Sequence, residues 1–75
     1  MNLNIPQLCL LRSVKTQGIP AELMGIYLNR CGATKEEWQA LVTAGYVVLT
    51  DIEGRYYLTA LGRKVYNRRP KTVYF

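Results

Sequence analysis

Two short runs rich in β-branched and aromatic residues, Tyr46-Val47-Val48-Leu49-Thr50 and Arg55-Tyr56-Tyr57-Leu58-Thr59, are separated in this sequence by only Asp51-Ile52-Glu53-Gly54. Such runs, joined by a short turn ending in glycine, predict a β-hairpin with strands near 46–50 and 55–59. Side chains alternate along a strand, so Tyr56 and Leu58 share one face and Tyr57 takes the other.

The helix expected just before the hairpin has the clearest boundaries. Thr34-Lys35-Glu36-Glu37 is a capping box: the Thr34 hydroxyl accepts from the Glu37 amide, and the Glu37 side chain returns to the Thr34 amide. Glutamine can close the same box, so Glu37→Gln is expected to be mild. Trp38, Leu41 and Val42 form the inward stripe of a helix over 35–44. Lys35, Glu36, Gln39 and Thr43 fall on the other side, and Gly45 stands where a left-handed residue ends the helix.

Three more helices follow from period and punctuation. The first covers 5–16, with Asn4 as N-cap, Pro6 in the first turn and Ile5, Leu8, Leu11 and Val14 inward beside Leu10. Arg12, Ser13 and Lys15 are left to water. A second covers 20–30: Ile19-Pro20-Ala21-Glu22 opens it, Met24, Tyr27, Leu28 and Cys31 repeat at helical spacing, and Gly32 ends it. Gly25 lies inside this helix, where a small residue permits close approach of a neighbour. The last covers 60–68, capped by Thr59 and stopped by Pro70, with Leu61 and Val65 inward. The expected organisation is one domain over 1–69 and a short extended tail over 70–75.

Composition narrows the function classes. A chain of 75 residues buries only roughly 60% of the surface its unfolded form exposes, which leaves little room for an enclosed active site. There is no histidine, no glycine-rich phosphate loop, and the one carboxylate pair, Glu36-Glu37, is explained by capping. We therefore expect no enzyme, no cofactor and no metal. Cys9 and Cys31 stand outside any clustered metal-ligand spacing and are expected to be two reduced, partly buried thiols. The apolar run Leu8-Cys9-Leu10-Leu11 is far short of the ~20 residues that span a bilayer. No leader pattern precedes it, so the default compartment is the cytoplasm, with no membrane partner. Trp38, Tyr27, Tyr46 and Tyr56 fit core or half-buried positions, whereas Tyr57, Tyr66 and Tyr74 are expected at the surface.

Charge is uneven. The chain has 10 basic and 5 acidic residues. Over 1–50, Arg12, Lys15, Arg30 and Lys35 nearly balance Glu22, Glu36 and Glu37. Over 51–75, Arg55, Arg63, Lys64, Arg68, Arg69 and Lys71 outweigh Asp51 and Glu53. A positive field of this kind suits nucleic acid or an acidic protein surface.

The order helix, helix, capped helix, hairpin, helix is the plan of a winged helix, an α+β fold with a three-helix core, a two-stranded wing and a C-terminal helix. The stretch "GIPAEL" (18–23) looks like the start of the second helix in bacterial regulators of the MarR and PadR types. "LVTAGYVV" (41–48) is similar to the end of their third helix and the step into the wing. "YYLTALGRKVY" (56–66) resembles their aromatic-x-Leu-Thr-x-x-Gly signature. The resemblance covers about residues 5–66. It implies a DNA-binding core of the helix-turn-helix kind, with the third helix at the major groove. Full-length regulators of these families add long helices for dimerisation and a ligand pocket, for which this chain has no room.

Two functions are expected on this basis. In the first, a small transcription regulator binds double-stranded DNA through Lys35, Gln39 and Thr43 on the third helix, Arg55 at the wing, and Arg63, Lys64, Arg68, Arg69 and Lys71. Specific binding then calls for a homodimer or a partner protein. In the second, a winged-helix adaptor or inhibitor binds a protein such as a component of the transcription machinery. Glu36 and Glu37, where a DNA reader would carry Lys or Arg, favour the second. Size alone suggests a phage or mobile-element product.

Overall fold

The computed structural model describes residues 3–68. Arg69, Pro70, Lys71, Tyr74 and the expected tail lie outside this range. Within it the chain forms α1 (Ile5–Gln17), β1 (Ile19–Pro20), a 3-10 turn (Ala21–Leu23), α2 (Met24–Cys31), α3 (Lys35–Thr43), β2 (Val47–Thr50), β3 (Arg55–Leu58) and α4 (Ala60–Asn67). It is an α+β domain whose three strands pair antiparallel in the order β1-β3-β2.

The local signals explain most of these boundaries. Asn4 caps α1 and forms a full capping box with Gln7, and Thr34 does the same for α3 with Glu37. Thr59 caps α4, its hydroxyl accepting from the Gly62 amide at 3.0 Å. The expected left-handed residue after α3 is present, since Gly45 has φ 79°. Leu10, Leu11, Val14, Ile19 and Leu41 are fully buried. Leu28, Trp38, Tyr46, Val47, Leu58 and Tyr66 complete the core around them.

Several expectations are corrected. The helix expected over 20–30 is broken: Ile19–Pro20 leaves as an extended pair, opposite Tyr56 and Arg55 of β3, and only Met24–Cys31 is α-helical. The hairpin thus becomes a three-stranded sheet. Two residues carry no readable period, and Ile19 gains complete burial by joining the sheet. On α4, Leu61 is 48% exposed and Tyr66 is buried, the reverse of expectation, because Gly62 and Tyr66 occupy the inward face. Ile5, placed on the α1 stripe, is exposed at the first helical position. Tyr57 is half-buried rather than exposed. Gly25 serves no close contact, since a Cβ built there meets nothing within 4 Å.

The cysteines also depart from expectation. Cys9 of α1 and Cys31 at the end of α2 form a disulfide, with Cα atoms 5.7 Å apart and 22 residues of sequence separation. Facing positions on two packed helices brought the thiols together, which spacing along the chain cannot reveal. Closing a loop of this length restricts the unfolded chain by about 3 kcal/mol. At roughly 4–8 °C per kcal/mol for a domain this small, reduction or Cys31→Ser should lower the thermal midpoint by about 12–24 °C. An unchanged midpoint with reductant present would mean that the bridge adds nothing to stability.

Candidate nucleic-acid interface

Every carboxylate of the chain lies on three elements: Glu22 on the 3-10 turn, Glu36 and Glu37 on α3, and Asp51 and Glu53 in the β2–β3 turn. Helices α1 and α4 carry none. They carry Arg12 and Lys15, then Arg63 and Lys64, with Arg68 as the residue that ends α4, and all five side chains are exposed. The two helices pack against each other. Lys15 joins them directly, its Nζ 5.0 Å from the centre of the Tyr66 ring. That cation–π contact holds a positive charge from α1 against α4, one turn from Arg63.

Two anchors fix where α4 lies. The Thr59 amide donates to the Tyr46 carbonyl at 3.1 Å, and the Thr59 hydroxyl donates to the Gly45 carbonyl at 2.6 Å. Gly62 then lies so close to Tyr46 that an added Cβ would sit 2.0 Å from its carbonyl oxygen. The Thr-x-x-Gly element is therefore a docking device for the helix, which explains those two residues physically.

The residues expected at the third helix are differently placed. Lys35, Gln39 and Thr43 are exposed on α3, but Lys35 is followed at once by exposed Glu36. Glu37 is committed to the fold. Its carboxylate accepts from the Thr34 amide at 2.8 Å and from the Asn4 side-chain amide, while its carbonyl accepts from Gln7 Nε2 at 3.1 Å. The Thr34 amide bond, then the Asn4 bond, hold the carboxyl below the ordinary value of 4.5.

This second partner changes the expectation for Glu37→Gln. A glutamine oxygen can accept from Thr34, but its NH2 group would face the donor of Asn4, whose own oxygen already accepts from the Gln7 amide at 2.9 Å. The variant should therefore lose stability rather than remain nearly neutral. A depressed folded value means that the carboxylate stabilises above the unfolded value and stops doing so as pH falls through the folded one. Urea titrations should show the gap between wild type and Glu37→Gln narrowing as pH drops below 4.5. A gap independent of pH would remove the charged role.

Arg55 is half-buried on β3, opposite Thr50 and Pro20, and Thr50 Oγ1 donates to its carbonyl at 3.0 Å. It stands behind an acidic turn in which Ile52, 99% exposed, projects between Asp51 and Glu53. The Tyr57 hydroxyl donates to Glu53, which raises the phenol above its ordinary value. The structure thus places Arg63, Lys64 and Arg68 of the expected set on or at the end of α4, with Arg55 on β3 and Lys35 on α3. Sequence reading left Arg12 and Lys15 as solvent-facing residues. The usable signal was the absence of acids from both helical segments.

Among the described residues no group of three or more potential ligands is placed to hold a metal ion, and no helix is long and apolar enough to cross a membrane. The chain is a small α+β domain in which α1 and α4 carry cations and no acids, with further cations at Arg30, Lys35 and Arg55 on other elements. No family model, no curated protein and no solved structure matches the chain.

Proposed function

We propose that the chain is a small winged-helix regulator that binds double-stranded DNA, with its phosphate contacts carried by α4 and α1 rather than by the wing. The observation that carries this reading is the charge separation: five exposed cations on two packed helices that have no carboxylate. A polyanion is drawn to that helix pair and repelled by the start of α3 and by the wing turn. Lys35, Gln39, Thr43 and Arg55 take secondary parts, with Gln39 able to pair with adenine. The reading includes a cytoplasmic home.

Neutralised phosphates release counterions, so affinity for mixed-sequence duplex should fall with salt at a log–log slope of roughly −3 to −4. Reversing Arg63, Lys64 and Arg68 together to glutamate should abolish binding at low salt and leave the circular dichroism unchanged. Arg55→Glu should weaken binding less than about tenfold. Duplex binding that survives the triple reversal contradicts the assignment.

A second reading, an adaptor or inhibitor of a protein, is favoured by one observation. An isoleucine almost wholly in water between two acids suits an apolar pocket with a basic rim. Under that reading Ile52→Asp abolishes partner capture, whereas under the first it leaves duplex affinity unchanged.

A further inference from the structure

The three-stranded sheet has two edges of unlike character. At one, β1 is two residues long and contains Pro20, which has no N–H to offer. At the other, β2 is four residues long, Val47-Val48-Leu49-Thr50, with no charge and no proline, and its Val48 and Leu49 are 48% and 41% exposed. Proteins usually guard such an edge with charge, proline or a bulge.

The hydrogen-bond pattern shows which groups are turned outward. The Tyr46 carbonyl accepts from the Thr59 amide, and the register pairs Val48 with Tyr57 and Thr50 with Arg55. In an antiparallel ladder alternate residues address the same neighbour, so Tyr46, Val48 and Thr50 face β3. Val47 and Leu49 therefore direct their N–H and C=O groups away from it.

We propose that this edge pairs with a second copy of the chain, β2 against β2, about a two-fold axis at Val48. In that register Val47 of each copy lies opposite Leu49 of the other, and the outward groups of both residues form four inter-chain hydrogen bonds. Val48 meets its own counterpart at a non-hydrogen-bonded position, where side chains approach most closely. The sequence is compatible with itself in this arrangement: residues 46–50 carry no charge, and Asp51 falls opposite Gly45 rather than opposite an acid. The two sheets become one of six strands. This pairing is independent of the DNA reading. Its small contact area places it in the weak, concentration-dependent class of interfaces.

Sedimentation equilibrium of the full chain from about 10 μM to about 1 mM tests it. The mass should rise from 8.6 kDa toward twice that value. Val48→Lys and Leu49→Pro should both remain monomeric with unchanged circular dichroism, since the Leu49 N–H is not used by β3. Hydrogen exchange at the Val47 and Leu49 amides should slow as concentration rises, and Val48→Cys should cross-link to its own copy on oxidation. A wild type that stays monomeric overturns the proposal, as does a dimer that survives both substitutions. A monomer with both amides already protected overturns it too, by showing the edge occupied by another segment of the same chain.

Discussion

Trp38→Ala should remove a large share of the protein's stability. The indole is 8% exposed and meets Tyr56 edge-on, with ring centres 5.0 Å apart. It thereby couples α3 to the middle strand of the sheet. Truncating a buried Trp costs ~3–5 kcal/mol, against a total of roughly 4–11 kcal/mol expected for a chain of this size. The indole belongs to the same buried cluster as Leu41 and Tyr46. Urea denaturation followed by circular dichroism should show a collapsed midpoint. A loss below about 1 kcal/mol would mean that the ring is not a core anchor.

Gly62→Ala should be nearly as damaging, and its sign makes it diagnostic. In an exposed helix interior alanine gains roughly 0.5–1 kcal/mol over glycine. At Gly62 the new methyl would stand 2.0 Å from the Tyr46 carbonyl oxygen, a backbone atom. Relieving that overlap requires α4 to retreat from the strand end. It would stretch the Thr59 bonds to Gly45 and Tyr46, at about 3 kcal/mol, the upper part of the range for overpacking. Gly25→Ala is the internal control: that position is open, so the same substitution there should stabilise. Parallel thermal melts decide the matter, and an equal gain at both positions would contradict the docking role of Gly62.

The elements with strong local chemistry were legible in the sequence. The capping box at Thr34 and Glu37, the Thr59 cap and the hairpin around Asp51–Gly54 all rest on neighbours along the chain. The features that required distant partners were not legible. Ile19–Pro20 becomes a strand only because Tyr56 and Arg55 stand opposite. Tyr66 turns inward because Gly62 brings α4 close, and Cys9 meets Cys31 across a helix pair. The candidate site divides in the same way. Exposure of Arg63, Lys64 and Arg68 was readable on one helix, whereas their association with Arg12 and Lys15 depends on the packing of α1 against α4.

The most direct measurement is amide chemical-shift mapping of the full chain titrated with a short mixed-sequence duplex at low salt. The account predicts that the largest shifts cluster at Arg12, Lys15, Arg63, Lys64 and Arg68, and that they fade together as salt is raised. Shifts centred on Gln39, Thr43 and the wing turn, with α1 and α4 unmoved, would contradict it.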